Sequence, residues 1–362
     1  MDKTLKPQDL QDQITQIFKA LGSSEVEAIT VAANLVMANL SGHDSHGVGM
    51  VPRYVDAAME QGGLQINTAA KINLDIGTML NLDGQRGFGQ VVGEQAMHLG
   101  MQRAKQHGSC IMSLANAHHL GRIGHFAEMA VAQGLVSMHF VNVLSRPAVA
   151  PWGGADGRFG TNPCCIGVPL AGHQPFILDF ATSCQAQGKM RVAHNKGERV
   201  APGLLIDERG NPTTDPGVVV VPQNKPGSDP SLPALFGALM TFGEHKGFGM
   251  AVASELLGGA LTGGGTCNHI PPLKRAVFNG MLTILIDPAR LGTQAAFEQE
   301  ALAFIDWVQA GPVAPGYEAV QIAGDPERAA RAKRAVDGID IDAQTWAEIV
   351  DAGQKVGVRV VG

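Results

Sequence analysis

The chain has 362 residues, 45% of them apolar and 17% charged, with a formal net charge of −6. That length exceeds one small core and points to two lobes, or to one large α/β unit with attachments, and the composition is globular rather than disordered. Sparse aromatics (5%) and the lack of a basic footprint argue against a nucleic-acid surface, and no stretch has the length and purity of a membrane span.

Taken in chain order, Pro7 to Leu21 carries Leu10, Ile14, Ile17, Phe18 and Leu21 at helical spacing, and Gly22 stops it. Ser23-Ser24 offers a cap for a second helix through Val31, Leu35 and Met37, with Glu27 near its first turn. That helix delivers the chain into the polar segment Ser41-Gly-His-Asp-Ser-His-Gly47. Ile72 to Leu82 reads as extended pieces around Gly77, Gln90 to Gln106 as a helix, and Ser109 to Leu114 as a short strand leading to Asn116-Ala-His-His-Leu-Gly121. A helix over Ile123 to Gln133 ends at Gly134, and strands follow at Val136 to Val143, Cys164 to Pro169 and Phe176 to Phe180. Val221 to Leu235, rich in Pro, Gly, Ser and Asn, reads as an exposed loop. Phe248 to Leu261 is expected as an apolar helix, Val277 to Ile286 as a strand, and Ala295 to Gln309 and Asp342 to Val356 as helices.

One glycine pattern is a decoy. Gly87-Phe-Gly-Gln-Val-Val-Gly93 resembles a dinucleotide-binding turn, but such a site also needs an acid or an arginine at the end of a strand about 20 residues on. The next strand leads instead to Asn116 and two histidines, and tight packing alone explains the glycines.

Four patches carry chemistry. In His43-Asp44-Ser45-His46-Gly47 a histidine flanked by a hydroxyl and a carboxylate can be oriented as a proton donor, although Asp44 or Ser45 could equally be capping the turn. His118-His119-Leu-Gly-Arg122 lies where a strand gives way to a helix, so backbone N–H groups there suit an anion and Arg122 suits a carboxylate. The paired histidines could instead bind a metal, but no Cys or carboxylate stands at a ligand spacing, and no metal site is expected. Arg158-Phe-Gly-Thr-Asn-Pro163 offers a tight bend at Gly160 and hydrogen bonds from Thr161 and Asn162, with Asp179-Phe-Ala-Thr-Ser183 following at a strand end. His245-Lys246-Gly247 opens a helix, where a lysine is poorly placed for the helix dipole and is either held by an anion or simply on the surface.

Together with Pro52, Tyr54, Gly87-Phe-Gly-Gln90, Asn116, Gly121, Gly160-Thr-Asn-Pro163, Asp179, Ala181-Thr-Ser183 and Lys246-Gly247, these patches resemble the malate/L-lactate dehydrogenase family of the non-Rossmann type over nearly the whole chain. The runs Gly-His-Asp-Ser-His-Gly, His-His-Leu-Gly-Arg-Ile-Gly and Glu-His-Lys-Gly are most similar to its hydroxycarboxylate dehydrogenase B branch. The resemblance implies an α/β fold with a large mixed, mostly antiparallel sheet wrapped by helices. It divides the chain into a helical lobe (1–75), a cofactor-binding sheet domain (76–290) and a C-terminal segment (291–362) that packs on the first lobe.

It further implies a homodimer that binds NAD or NADP, with NAD favoured, and that interconverts a small 2-oxo acid and its 2-hydroxy acid. An NADPH-dependent reductase of cyclic imino acids is the alternative. Reduction of a 2-oxo acid needs a hydride from the cofactor, a proton for the carbonyl oxygen and a cation for the carboxylate. His46 and His119 are the candidate donors, with His46 favoured because Ser45 and Asp44 stand beside it. Arg53 and Arg122 are the candidate cations, since many relatives place an arginine where this chain has Met50, and a less polar wall there suits a more apolar substrate. The residues expected along the cofactor are His118, Gly121, Gly160, Thr161, Asn162, Asp179, Ala181, Thr182, Lys189, His245, Lys246, Gly247, Gly324 and Arg328. Lys189 stands where the imine reductases often carry an acid, which leans toward hydroxy acids. Five scattered cysteines and a charged start without an apolar signal segment suit a cytoplasmic protein with reduced thiols.

Overall fold

The computed structural model describes residues 2–224, 234–270 and 273–361. Most of the loop expected over 221–235 lies outside the described residues. The chain opens with strand β1 (Lys3–Leu5) and helix α1 (Pro7–Leu21), whose apolar residues Leu10, Ile14, Ile17 and Phe18 are buried, as their spacing demands. Helix α2 (Glu25–Leu40) follows, capped by the Ser24 hydroxyl, which accepts from the Glu27 N–H at 3.3 Å. Two single 3-10 turns, Asp44–His46 and Val48–Met50, then lead into a short helix α3 (Val51–Met59) with proline in its first turn.

Strands β2 (Lys71–Asp75) and β3 (Met79–Asp83), helix α4 (Gly89–His107), strand β4 (Ser109–His118), helix α5 (Gly124–Ala132) and strand β5 (Val136–Leu144) come next. Strands β6 (Cys164–Val168) and β7 (Phe176–Phe180) precede helix α6 (Gln187–Asn195). A small sheet of β8 (Leu205–Ile206), β9 (Pro212–Thr213) and β10 (Ala238–Leu239) leads to helix α7 (His245–Ser254). After strand β11 (Phe278–Ile286) come helices α8 (Pro288–Leu291), α9 (Gln294–Gln309) and α10 (Asp325–Asp337), strand β12 (Ile339–Ile341) and helix α11 (Ala343–Lys355).

The main sheet has seven strands in the order β2-β3-β4-β11-β5-β6-β7. Only β3 and β4 run parallel; the other neighbours are antiparallel, so the sheet is mixed and mostly antiparallel, as expected. Helices α4 and α5 cover one face through Val92, Met97, Phe126 and Ala127. The ends of the chain meet: β1 pairs with β12, and Ile339, Trp346 and Ile349 join the core of α1 and α2.

Three differences from expectation bear on the site. Strand β4 runs on through His118, because Asn116 takes a left-handed φ of 51° and β11 shifts register opposite it, so pairing survives the irregularity. Helix α7 opens at His245, as the His-Lys-Gly run implies, but after Ser254 it continues as a π-helical turn, Glu255–Ala260. Gly324 and Arg328, expected along the cofactor with no helix assigned to them, stand at the cap and in the first turn of α10. The decoy glycines prove to be packing positions: a Cβ on Gly89 would stand 2.3 Å from the His118 carbonyl oxygen, and one on Gly93 would strike the Phe126 ring.

Candidate active site

The turn that carries His46 is folded around Asn39, near the end of α2. The Asn39 amide oxygen accepts from the Val48 N–H at 2.8 Å, and its NH2 donates to Asp44 at 2.7 Å. Position 47 must be glycine, since a Cβ there would lie 2.1 Å from the Asn39 side-chain oxygen. His46 is half-buried, with the Ser45 hydroxyl 3.0 Å from its Nδ1. Asp44 turns away from the ring. Its carboxylate accepts from Arg334 of α10 at 2.6 and 3.0 Å, so of the two neighbours expected to orient His46, only Ser45 touches it.

The end of β4 brings the second histidine to the first. The rings of His46 and His119 stack with centroids 5.5 Å apart and planes within 13°. Behind His119 stands Tyr54, fully buried on α3, with its hydroxyl 2.6 Å from His119 Nδ1. Gln90, fully buried in the first turn of α4, donates to the same hydroxyl at 2.8 Å. His118 is buried edge-on to Tyr54, at 5.3 Å between centroids.

Loss of hydration favours the neutral form of each of these groups. It takes His46 down to about 4, helped by the charges of His43 and Arg122, and His118 to about 3, helped by Arg53. His119 falls well below the usual histidine value, first through burial and then through His46, His118 and Arg53. Burial raises Tyr54 against the opposing pull of Gln90 and Arg53, so it remains a phenol.

The two candidate cations differ in kind. Arg122 has a buried side chain held by Glu128 at 2.5 Å, leaving Nη1 buried without a hydrogen-bond partner. Glu128 also takes Arg331 of α10. Arg53 is solvent-accessible, yet the surrounding protein lowers its pKa by desolvation; Arg191, Arg275 and Arg146 add to the effect, while Tyr54 opposes it. Its Nε donates to the Arg275 carbonyl at 3.1 Å, and no carboxylate among the described residues pairs with it. Met50 is half-buried and packs against the core of the helical lobe.

The expected cofactor residues fall into two groups. Some are already engaged within the protein. Buried Asn162 uses its amide on Val143 N–H, the Ala251 carbonyl and Glu255, and Thr182 donates to the carbonyls of Thr161 and Asn162. Arg328 binds Asp325 and the Pro175 carbonyl, while Gly160 packs on Val143 of β5. Asp179 accepts from the Gly124 N–H at 2.7 Å; burial raises its pKa, opposed by His43, that N–H and Arg122. Others are free to receive a ligand. Lys246 is exposed at the start of α7 beside His245 and Gly247, and its ammonium has no partner among the described residues. Lys189 is exposed on α6, and Ala181 is half-buried past the end of β7. The unpartnered Arg122 Nη1 and the Lys246 ammonium are donors of the kind a nicotinamide dinucleotide's phosphates require, so the residues present fit such a cofactor.

Tyr54 and Gln90 stood in the sequence without a role. Tyr54 looks like one more apolar position of a helical stripe with Val51 and Val55, and Gln90 sits inside the decoy glycine run; a polar atom at each of two fully buried positions is the signal that sets them apart.

Residues 5–350 match the family described as Malate/L-lactate dehydrogenase. Hydroxycarboxylate dehydrogenase B of Escherichia coli O157:H7 is 45% identical over 353 residues, covering 97% of this chain and 94% of its own. An L-lactate dehydrogenase of Cupriavidus necator is 39% identical, covering 91% of each chain. The solved sulfolactate dehydrogenase of Methanocaldococcus jannaschii superposes with a TM-score of 0.83 at 30% identity, covering 99% of this chain and 98% of that one. The chain is thus a hydroxy acid dehydrogenase, a class that works with a nicotinamide cofactor, and it belongs to the malate/L-lactate dehydrogenase family.

Proposed function

We propose that His119 is the proton donor of this 2-oxo acid reductase, that Arg53 holds the substrate carboxylate, and that His46 forms the opposite wall of the reacting centre. The observation that carries the assignment is the hydrogen bonding of His119. A phenol has one hydrogen, and the Tyr54 oxygen already accepts from Gln90, so that hydrogen points to His119 Nδ1. The imidazole proton then sits on Nε2. For His46, the Ser45 hydroxyl can donate or accept, so nothing comparable fixes its tautomer. The cofactor, when bound, supplies the hydride. As the carbonyl is reduced, His119 in its protonated form gives its Nε2 proton to the developing alkoxide and is left neutral with its remaining hydrogen on Nδ1; in the reverse direction the bare Nε2 accepts the hydroxyl proton. Neither transfer needs a metal.

His118, Gly121, Gly160 to Asn162, Asp179 to Thr182, Lys189, His245 to Gly247 and Gly324 to Arg328 would line the cofactor, with Lys246 offering charge to its phosphates and the unpartnered Arg122 Nη1 a hydrogen bond. NAD is favoured over NADP because Arg328 and Arg331 are already paired with Asp325 and Glu128, which leaves less positive charge for a further phosphate. The half-buried Met50 favours a substrate with some apolar bulk. A second copy of the chain is the expected partner, seated on exposed Leu74, Met79 and Ile111 of the sheet. Free thiols throughout suit the cytoplasm.

Steady-state rates with pyruvate, oxaloacetate, phenylpyruvate and piperideine-2-carboxylate, each with NADH and NADPH, identify the substrate and the cofactor. His119→Ala should then cut kcat by roughly 10² to 10⁴, the usual worth of a general acid, while His46→Ala should act mainly on KM. If His119→Ala keeps near-normal kcat, the donor assignment is wrong.

A further inference from the structure

A general acid passes through two protonation states in each turnover, and whatever holds its ring must suit both. Behind His119 the holding group is Tyr54, and behind Tyr54 it is Gln90. The Gln90 Oε1, at the far end of this pair, is buried with no hydrogen-bond partner among the described residues. A buried amide oxygen left alone is disfavoured, and it needs a physical reason. That oxygen shares a pivot with the NH2 that now donates to Tyr54, so a half-turn about the terminal bond brings it to the phenol instead. Gly121 flanks the amide, where a Cβ would stand only 3.2 Å from Gln90 Nε2; its bare Cα leaves room beside the pivot.

We propose that Tyr54 and Gln90 are a reversible hydrogen-bond relay that holds His119 in one place whether or not its Nδ1 carries a hydrogen. With His119 neutral and its hydrogen on Nε2, Gln90 donates to the phenol oxygen and the phenol donates to Nδ1. With His119 protonated, the Nδ1–H donates to the phenol oxygen, and the phenol hydrogen turns to the rotated Gln90 Oε1. The proton lost in catalysis is the one on Nε2, which bonds to the substrate oxygen as the hydride reaches the carbonyl carbon; the neutral ring left behind keeps its Nδ1 hydrogen on the phenol oxygen, in the same arrangement as the protonated ring, until Nε2 takes up another proton. The Nδ1 proton and the phenol proton stay on their own atoms, and Tyr54 never ionises. Tyr54 and Gln90 act through His119 and are positioning residues. The other charged or titratable groups bearing on the His119 ring are His46, His118 and Arg53; none of them offers a donor and an acceptor on one pivot. The inference rests on His119 as the proton donor.

The test compares Tyr54→Phe, Gln90→Met and Gln90→Glu in the full-length enzyme, with the wild-type substrate and cofactor pair. Tyr54→Phe and Gln90→Met should each lower kcat by about tenfold or more, with cofactor KM within about twofold, since only the proton transfer is misaligned. Gln90→Glu presents acceptors alone, which suits protonated His119, so its kcat–pH profile should lie on the alkaline side of that of Gln90→Met. Nitrogen-15 NMR of the histidine rings should show His119 held as one tautomer in the wild type and as a mixture in Tyr54→Phe. A Tyr54→Phe enzyme with wild-type kcat, pH profile and ring spectrum overturns the relay; if that variant does not fold, Gln90→Met decides by the same readings. His119→Ala separates the two ideas. An active His119→Ala removes the donor assignment itself, whereas an inactive one beside an unimpaired Tyr54→Phe removes the relay alone.

Discussion

At the scale of single residues, the two arginines that the sequence offered as equals are set apart by their partners. Arg122 is already neutralised by Glu128, while Arg53 is exposed and binds only a backbone carbonyl among the described residues. Hydrogen bonds to charged groups are worth about 1.5–3 kcal/mol, so Arg53→Ala should raise the 2-oxo acid KM roughly ten- to hundredfold and leave cofactor KM nearly unchanged. An unaltered substrate KM would move the carboxylate site elsewhere. Arg122→Ala should instead lower thermal stability, because Glu128 would keep only Arg331 as its partner. The sequence made His46 and His119 legible because polar runs ending in glycine stand out against apolar surroundings. It could not show which neighbour each ring would meet. Asp44 is adjacent to Ser45 in the chain yet bonds to Arg334, and His119 meets Tyr54 from 65 residues away. Adjacency fixes what a residue can reach, and packing chooses among the possibilities.

At the scale of elements, the helices and strands with a one-sided apolar pattern were legible almost to their ends. Helix α1 spans the expected residues, β5 extends one residue further than expected, and α9 begins one residue earlier. What escaped were the short helix α3, whose stripe spans barely two turns, and elements whose stability comes from outside any stripe. Helix α10 has no buried residue and is polar all round; it stands on ion pairs, with Glu327 on His43, Arg331 on Glu128 and Ser41, and Arg334 on Asp44 and the Asn39 carbonyl. Its signals were capping signals alone: Gly324 before it, Pro326 and Glu327 in its first turn, and Gly338 after it. Three of its side chains grip the turn that carries His46, so the helix holds that turn as well as itself. The Arg334–Asp44 pair is partly exposed, and screening limits it to about 1 kcal/mol or less. Arg334→Ala should therefore lower the unfolding free energy by about 1 kcal/mol and should weaken in effect as salt is raised. The Lys333–Asp337 pair on the exposed side makes the control, and Lys333→Ala should cost much less. Equal losses in the two variants would mean that the grip on the turn adds nothing to folding.

At the scale of the whole molecule, the fold holds histidines neutral in places where water cannot reach them. His118 and His139 are buried to 0% and 1% exposure, and desolvation takes each to about 3. An unfolded histidine titrates near 6.5. Between those values the unfolded chain binds the extra proton and the native chain does not, so stability rises with pH. The contribution of each is complete above about pH 6.5 and is lost steadily as pH falls toward the folded value, at about 1.4 kcal/mol per unit, or about 2 kcal/mol each by pH 5. Carboxylates with depressed values, such as Glu60, Asp75 and Glu327, add their own loss only once pH falls below their unfolded range near 4.5. Asp179 works in the opposite direction, because burial raises it. The window from pH 6.5 to 5 therefore belongs to the histidines, and chemical denaturation should show stability falling through it. His139 isolates the effect from catalysis. It lies on β5 with Nδ1 3.0 Å from the Thr283 hydroxyl and Nε2 without a partner, in the core under α4 and α5 rather than at the site. His139→Gln can keep a bond to Thr283 and carries no titrating group, so its stability should fall between pH 7 and 5 by about 2 kcal/mol less than that of the wild type. A variant whose stability runs parallel to the wild type across that range would show that His139 takes up its proton without opposing the fold.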